Sequence, residues 1–412
     1  MLNFENTEIA FASKSNAALR KAKALYSLVA RSWVVDIGKH VLNFLLFIRF
    51  PLRPFVKPTI FEVFAGGETI DDCNDRIASL DKYGIGSILD YSVEGSAEEE
   101  LLDKTADMII KTIIKAENTK AIPFAVFKVS GIASDRILER KSWHEAEMND
   151  EEHEEWERVK QRMQKVASKA HEKKVPLYVD AEDYSFQPAI DDLVWKMMLK
   201  YNKKRAYVYN TIQAYRTDRY EFLQKAHEDA VGEGIIYGLK LVRGAYMERE
   251  RELAKERGYP SPIHKNKDAT DKCFNDCLRY IVKHIKDFEL CNGTHNEEST
   301  YLLTELMEKY DIQKDDYRVY SAQLLGMSDH ISYNLAHNNY NVAKYVPFGP
   351  VREMMPYLIR RAQENSSAKG QTGRELKLIN HELKERRKAK RKGERQSELS
   401  TDKANKKMED RK

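Results

Sequence analysis

Eight short runs rich in Val, Ile, Leu, Tyr and Phe recur along this chain between longer, charged stretches with helical patterns. Alternation of strand and helix predicts parallel strands, because each crossover helix returns the chain to the same end of the sheet. Eight such units match a closed (β/α)8 barrel better than an open doubly wound sheet. The runs are residues 85–90 (IGSILD), 122–128 (IPFAVFK), 176–180 (PLYVD), 206–213 (AYVYNTIQ), 237–243 (YGLKLVR), 288–294 (FELCNGT), 318–323 (RVYSAQ) and 341–346 (NVAKYV).

The chain has 412 residues, of which 42% are hydrophobic and 33% charged, so it accommodates one barrel with appendages. We expect an N-terminal helical region over residues 1–80 and the barrel over residues 81–385, closed by a final helix after Pro350 and Pro356. Residues 386–412 are basic and almost free of large apolar side chains, which predicts a frayed helix or a disordered tail.

Membrane and redox properties follow from the same composition. The longest apolar run, residues 41–48, is far shorter than the roughly 20 residues that span a bilayer. Residues 24–53 indicate amphipathic helices that pack on the main domain or lie on a membrane surface. The four cysteines lack paired metal-ligand spacing, so we expect reduced thiols, an intracellular compartment and no metal. The net charge of +4 gives no reason to expect a nucleic-acid partner.

Polar side chains end almost every predicted strand. In a parallel barrel these ends share one mouth, where active sites are built. A charge at the end of a buried strand needs either solvent or a partner, so a series of them predicts a site. The strand-end residues are Asp90, Lys128, Asp180, Gln213, Arg243, Thr294 with His295, and Gln323.

Residues 357–365 (YLIRRAQEN) hold two adjacent guanidinium groups and a carboxylate at helical spacing. Tyr357, Arg360, Arg361 and Glu364 share one helix face. Two planar, always-charged forks would hold a small carboxylate rigidly, with Glu364 offsetting the surplus charge. A structural salt-bridge network is the alternative interpretation of this segment alone.

Nucleotide-binding fingerprints are missing from the sequence. The glycines of Gly84-Ile85-Gly86 precede a strand instead of following one, and the third glycine of the dinucleotide motif is lacking. The chain also has no GxxxxGK[ST] motif. Any nucleotide cofactor is therefore expected in the barrel loops.

The motifs FKVSGI, YVDAED, IQAY, KLVRGAY, GTHN, QLLGM, YVPFGP and YLIRRAQEN follow one another between roughly residues 60 and 385. This ordered series resembles the proline dehydrogenases, which are FAD enzymes with a distorted (β/α)8 barrel. The resemblance implies oxidation of L-proline to pyrroline-5-carboxylate, the first step of proline catabolism, by hydride transfer from C5 to N5 of FAD. It also implies the monofunctional form, since no aldehyde-oxidising domain follows the barrel.

The resemblance assigns the substrate-side residues one by one. Arg360 and Arg361 clamp the carboxylate, Lys128 is a third cation, and Glu364 pairs with this cluster. The other substrate-side residues are the pocket tyrosines Tyr345 and Tyr357, Leu324 against the proline ring, and Asp180 beneath the flavin.

The resemblance likewise assigns the FAD contacts. Many family members have RLVKGAY where this chain has KLVRGAY, as in the mitochondrial-type branch, so Lys240 and Arg243 are interchanged. Which of the two cations approaches flavin N5 stays open. The implied contacts are Gln213 near the isoalloxazine, Lys240, Arg243, Gly244, Ala245 and Tyr246 at the pyrimidine edge and phosphates, and Thr294, His295, Asn296 and Gln323 around the remainder.

The implied partners are L-proline, a membrane quinone as electron acceptor and pyrroline-5-carboxylate dehydrogenase as recipient of the product. The expected location is the cytoplasm with peripheral association with the inner membrane, or the mitochondrial inner membrane in a eukaryote. One rival function is hydroxyproline dehydrogenase, although Tyr345 would crowd a C4 hydroxyl. The other is a non-enzymatic membrane or nucleic-acid adaptor that works through the basic run 384–392.

Overall fold

The computed structural model describes residues 2–29, 53–92, 98–367 and 371–409, with side chains for all of these except residues 29, 55, 362–367, 371–372 and 393–409. Eight parallel strands form a closed barrel in chain order, which confirms the predicted fold and all eight predicted strands. The strands are β1 (Gly86–Tyr91), β2 (Phe124–Lys128), β3 (Leu177–Asp180), β4 (Val208–Gln213), β5 (Tyr237–Val242), β6 (Phe288–Gly293), β7 (Val319–Leu324) and β8 (Val342–Phe348).

Helices surround the barrel and follow the strands. Short 3-10 turns at Asp71–Cys73, Val129–Gly131 and Glu145–Glu147 and a π turn at Lys57–Phe61 supplement them. The α-helices are α1 (Thr7–Ala10), α2 (Asn16–Val29), α3 (Arg53–Val56), α4 (Glu62–Phe64), α5 (Asn74–Asp81), α6 (Glu99–Glu117), α7 (Asp135–Trp143), α8 (Asp150–Glu172), α9 (Gln187–Tyr201), α10 (Arg219–Gly232), α11 (Met247–Arg257), α12 (Lys267–Lys283), α13 (Glu297–Lys309), α14 (Asp329–His337), α15 (Met355–Ser367) and α16 (Gln371–Glu409).

Aromatic side chains fill the lower part of the barrel interior. The Phe124 ring stacks on Tyr178 with a centroid distance of 4.4 Å and meets Tyr320 edge-on at 4.7 Å. Tyr209 packs against Tyr178 at 5.0 Å. Inward-facing residues of β2, β3, β4 and β7 thus close the barrel from below, as packed side chains do in this fold. The open end is left for the strand termini that carry polar groups.

The two ends of the chain pack together beside the mouth of the barrel. Arg386 of α16 donates to the carbonyls of Phe11 at 2.9 Å and Lys14 at 2.7 Å. The Thr7 hydroxyl donates to Glu382 at 2.7 Å. Apolar residues of α1, α2, α4, α15 and α16 form a separate core under these contacts. Residues 30–52, most of the predicted amphipathic stretch, lie outside the described residues.

The C-terminal part differs from the predicted single helix over residues 350–385. Two helices occupy it, and α15 begins at Met355, so Pro356 lies in its first turn, where a missing backbone N–H costs no hydrogen bond. Residues 386–409, predicted as a frayed helix or a disordered tail, continue α16 as helix. Lys, Arg, Glu and Ala are strong helix formers, which favours this conformation over the one that low hydrophobicity predicts. Residues 410–412 lie outside the described residues.

Among the described residues, no helix combines the length and the apolar character that crossing a membrane requires. All four cysteines are free and buried.

Candidate active site

A cavity of about 1080 Å³ opens at the carboxyl ends of the strands. Every residue that the sequence analysis assigns to the site lines it except Glu364, whose side chain lies outside the described residues. The lining thus includes, of the predicted residues, Lys128, Asp180, Gln213, Lys240, Arg243, Gly244, Ala245, Tyr246, Thr294, His295, Asn296, Gln323, Leu324, Tyr345, Tyr357, Arg360 and Arg361.

Three of these side chains meet inside the barrel. Lys240 of β5 forms an ion pair with Asp180 of β3, and its ammonium donates to the Tyr345 hydroxyl of β8 at 2.8 Å. Strands β3, β5 and β8 are not neighbours, so these side chains reach each other only across the lumen. Burial, with Asp180 acting in the same direction, raises the pKa of Tyr345 and keeps its phenol protonated. The trio forms a polar floor with a neutralised ammonium group.

Arg243 takes a different position at the rim. Its guanidinium binds Asp271 at 2.7 Å, the Thr294 hydroxyl at 2.8 Å and the Ser299 hydroxyl at 2.9 Å. The group also lies 4.3 Å above the centroid of the Phe274 ring. These contacts fix Arg243 between β5 and the start of α13, outside the barrel lumen.

The arginine-bearing helix α15 covers one side of the cavity. Arg361 is 8% exposed, and its guanidinium carbon lies 5.2 Å from the centroid of the Tyr357 ring. Arg360 is half-buried and lines the same cavity. Leu324 of β7 and Tyr345 of β8, which are partners in strand register, line the same cavity. An anion that enters here meets two guanidinium groups together with an apolar and a phenolic side chain.

Lys128 of β2 is in register with Asp180 of β3 and lines the cavity. The loop that follows it is fixed by Glu182, whose carboxylate accepts from the Ser130 backbone N–H at 2.9 Å and from the Ser130 hydroxyl. The Glu182 carbonyl in turn accepts from the Gln213 amide at 3.0 Å. Gln213 is therefore held by one end of its amide, and its Oε1 has no hydrogen-bond partner among the described residues.

Polar side chains after β6 and β7 complete the rim. The Gln323 amide donates to the Thr294 carbonyl at 3.1 Å and accepts from the Ser332 hydroxyl at 2.8 Å. Asn296 caps α13 by accepting from a backbone N–H of its first turn. Burial, with nearby cationic side chains, lowers the pKa of His295 to about 3, so its imidazole is neutral at physiological pH. These residues offer neutral donors and acceptors.

A buried lysine fixes the loop after β7, and the sequence analysis did not assign it. Lys344 is 0% exposed and donates to the carbonyls of Met327 at 2.7 Å and Leu324 at 3.3 Å. Asp329 balances its charge at 2.8 Å and also binds Lys14 of the N-terminal segment at 2.6 Å. A lysine inside the apolar run NVAKYV was the signal in the sequence, because such a charge needs a partner. The sequence alone did not identify Asp329 as that partner.

The same loop has further supports. Glu375 of α16 accepts from the Ser328 N–H at 2.6 Å, and the Tyr26 hydroxyl donates to the Gly326 carbonyl. Ser328 has a φ of +50°, a left-handed conformation that a side chain rarely adopts without such restraints. Its hydroxyl meets His295 Nδ1 at 3.0 Å. Both chain ends thus hold a strained loop that borders the cavity.

Comparison with known proteins identifies relatives that match most of the chain. A family model described as "Proline dehydrogenase" matches residues 73–374. The chain is 32% identical to "Proline dehydrogenase 1, mitochondrial" of Arabidopsis thaliana over 91% of this chain and 85% of the relative. It is 33% identical to "Carbapenem antibiotics biosynthesis protein CarD" of Pectobacterium carotovorum subsp. carotovorum over 78% of this chain and 83% of that one.

Solved structures support the fold. Proline utilization A from Bdellovibrio bacteriovorus, inactivated by N-propargylglycine, aligns with a TM-score of 0.68 at 22% identity. The alignment covers 79% of this chain and 35% of the longer Bdellovibrio protein.

Proposed function

The chain belongs to the proline dehydrogenase family of oxidoreductases that act in proline catabolism, and we propose that it converts L-proline to pyrroline-5-carboxylate with FAD as hydride acceptor. The observation that carries the proposal is the mouth of the barrel. Two arginines of α15 and the pair Leu324 and Tyr345 face one cavity there. This is the arrangement needed to hold an amino acid by its carboxylate and to orient its ring.

The cavity residues fit FAD. Gln213 presents a buried amide oxygen with no partner among the described residues, which suits a ring N–H donor. Arg243, Lys267 and Arg374 line the cavity and are the cations that suit a pyrophosphate, and Asp271 and Glu297 are their ion-pair partners. When bound, FAD supplies the acceptor for the hydride that leaves C5 of proline.

The protein's own contribution is orientation. Arg360 and Arg361 bind the carboxylate, with Lys128 as a further cation at the end of β2. Leu324 and Tyr345 confine the ring, so that C5 is directed toward the cofactor. Tyr357 packs beside the Arg361 guanidinium and limits its rotamers. Glu364 remains proposed to balance the charge of the arginine pair.

Lys240 is proposed as the cation nearest the reactive part of the cofactor, and Arg243 as a rim cation. This assignment is supported by the lumen position of Lys240 beside Asp180 and Tyr345. Because Asp180 neutralises Lys240, the floor can donate a hydrogen bond without a large uncompensated charge. Gly244, Ala245 and Tyr246 then follow the cofactor along the rim with Thr294, His295, Asn296 and Gln323.

The proposed electron acceptor is a membrane quinone, and the proposed location is the face of the inner membrane, mitochondrial as in the name of the Arabidopsis relative. Pyrroline-5-carboxylate dehydrogenase is the proposed recipient of the product.

An anaerobic absorbance spectrum of the purified protein tests the function. We expect a bound-flavin spectrum that bleaches on addition of L-proline and stays unchanged with D-proline or with L-pipecolate at the same concentration. One relative is named for carbapenem biosynthesis and not for proline oxidation. The two analogues therefore test whether the site is specific for the five-membered ring of L-proline. A colourless protein would favour the adaptor alternative, and a flavin that proline does not reduce would refute the substrate.

A further inference from the structure

Glu250, in the first turn of α11, carries a buried carboxyl group behind the cavity that the proposed function does not use. It is 0% exposed and is absent from the cavity lining. We propose that Glu250 is a positioning residue that ties together the loops after β3, β4 and β5, and that its gain and loss of a proton regulates how tightly these loops hold the flavin. The inference rests on the proposed function for the identity of the cofactor.

Glu250 follows the loop after β5 and accepts hydrogen bonds from the loops after β3 and β4. Its Oε1 accepts from the Tyr184 backbone N–H at 2.7 Å, in the loop after β3. The same oxygen accepts from the Tyr215 hydroxyl at 3.3 Å, in the loop after β4. Because α11 directly follows the loop after β5, one carboxyl group connects three consecutive loops of the mouth.

Each connected loop contains or directly follows a residue of the proposed flavin site. Asp180 precedes the first, Gln213 ends the strand before the second, and Arg243 begins the third. The contact between the last two is close: Gly244 has a φ of +131°, and a Cβ atom there would lie 2.5 Å from the Tyr215 ring. A displacement of Tyr215 would therefore move the backbone that follows Arg243.

The surroundings of Glu250 disfavour a negative charge. Its Oε2 is buried and has no hydrogen-bond partner among the described residues. Burial raises the pKa of Glu250 to about 7, with Asp183 acting in the same direction and the Tyr184 N–H opposing it. The titratable and charged groups around it are Asp183 and Tyr184 after β3, Tyr215 and Arg216 after β4, Tyr246 and Arg249 beside it in sequence, and Tyr259 after α11.

The charges of the neighbours do not cancel that effect. Arg249 is paired with Asp183 at 3.0 Å. Arg216 is paired with Asp218 at 2.6 Å, and its buried Nη1 has no hydrogen-bond partner among the described residues. Ionisation of Glu250 thus creates a buried charge that the Arg216 guanidinium offsets only in part. We expect the loops to loosen as this charge forms.

The sign of the pH effect follows from the raised pKa. The folded protein binds the Glu250 proton more tightly than the unfolded chain, in which the carboxyl titrates near its ordinary value. The stabilising effect of protonation is complete below that ordinary value and is lost as the pH rises through about 7. Flavin retention is expected to weaken over the upper part of this window.

Two substitutions of Glu250 distinguish the effect of its protonation from the effect of its hydrogen bonds. Glu250→Gln keeps an acceptor oxygen for Tyr184 and Tyr215 and resembles the protonated carboxyl at every pH. Glu250→Ala removes the connection. Glu252→Gln is the matched control, because it makes the same charge change on an exposed position of the same helix.

The first measurement is flavin retention by the full-length holoenzyme, followed by the fluorescence of FAD released on dilution. From about pH 6 to about pH 8.5 the dissociation constant of wild type should rise about fivefold or more, the low end of coupling between sites. In Glu250→Gln it should stay within about twofold, while Glu250→Ala should bind about tenfold more weakly at both pH values. Retention of the wild-type pH response by Glu250→Gln, or of wild-type affinity by Glu250→Ala, would overturn the inference.

The second measurement does not require flavin. The difference in thermal midpoint between wild type and Glu250→Gln should move in favour of the variant as the pH rises through about 7, and Glu252→Gln should show no such trend. A pH-independent difference would overturn the proposed titration. Absence of flavin from wild type would contradict the proposed function instead, and this second measurement would still decide whether Glu250 titrates.

Discussion

Two arginines at the mouth of the barrel differ in their burial and in their hydrogen-bond partners. Arg361 is buried against Tyr357 and lines the cavity. Arg243 also lines the cavity, and three of its five N–H donors bind Asp271, Thr294 and Ser299 at the rim. The position of Arg361 on α15 supports its proposed role as a cation that binds the substrate carboxylate.

Substitution of Arg361 by Met should therefore raise KM for proline far more than it lowers the FAD content. Truncation of one partner of a buried charged contact costs about 2 to 5 kcal/mol, which corresponds to at least about thirtyfold. Steady-state kinetics and the flavin absorbance ratio measure the two effects, with Arg360→Met as the parallel variant and exposed Arg279→Met as the control. Unchanged KM values in both Arg360→Met and Arg361→Met would disprove the carboxylate clamp.

Tyr345 is expected to set the preference for proline over hydroxyproline. Tyr345 of β8 is the strand-register partner of Leu324 of β7, and its hydroxyl accepts a hydrogen bond from the Lys240 ammonium. Tyr345→Ser should raise the ratio of kcat/KM for hydroxyproline over proline by about ten- to a hundredfold, mainly through loss of proline activity, since bulk and an unmatched hydroxyl are worth roughly 1 to 3 kcal/mol.

Tyr345→Phe is the matched variant for this prediction, because it loses the contact with Lys240 but keeps the ring. It should retain the wild-type preference while both activities fall. An equal fall of both activities in Tyr345→Ser would mean that the residue serves the flavin or the fold.

At the scale of elements, the loop between β7 and α14 is held by a group of three ionised side chains that are remote from one another in the sequence. Lys14 precedes α2, Asp329 begins α14, and Lys344 lies in β8. Although burial opposes ionisation, Lys14 and Lys344 hold the pKa of Asp329 well below its usual range. Its contribution to stability is present above the unfolded pKa and is lost as the pH falls toward the folded one.

Asp329→Asn should destabilise the protein by about 3 to 5 kcal/mol near neutral pH, because the buried Lys344 ammonium loses its counter-ion. Denaturant unfolding measures this loss, and the difference from wild type should shrink in acid. Exposed Asp315→Asn is the control. Equal stability of the two variants would mean that Lys344 is neutralised by other means.

For the whole molecule, α16 both braces the barrel mouth and carries the basic run 384–392 away from it. Arg386 and Glu382 bind the N-terminal segment, so the brace ends where the exposed basic residues begin. The exposed basic residues after Arg386 can therefore be deleted while Glu382 and Arg386 keep their contacts with the N-terminal segment.

Deletion of residues 387–412 should abolish co-sedimentation with anionic vesicles at low salt and leave proline oxidation with a soluble acceptor intact. Each basic residue near an anionic surface contributes about 1 kcal/mol, so the affinity should also fall steeply with salt. Neutral vesicles are the control. Equal binding of the truncated and full-length proteins would assign membrane contact, if any, to another surface.

The sequence determined the barrel and the list of polar strand ends. Alternating apolar runs and helical patterns are local signals, and parallel strands with short loops leave few other ways to bury those runs. Positions such as Arg360 and Arg361 were readable because helical spacing places them on one face. The sequence did not decide between a helix and a disordered tail for residues 386–409, because low hydrophobicity and helix propensity point in opposite directions there.

Only the tertiary structure decided which charges meet. Lys240 and Arg243 are three residues apart, yet one enters the lumen to Asp180 and the other turns to Asp271 at the rim. Lys14 forms an ion pair with Asp329, more than 300 residues away in the sequence. Glu250 accepts hydrogen bonds from Tyr184 and Tyr215 in two earlier loops. Ion pairs and buried hydrogen bonds depend on distances of a few ångströms between segments remote in sequence, and local periodicity carries no information about those distances.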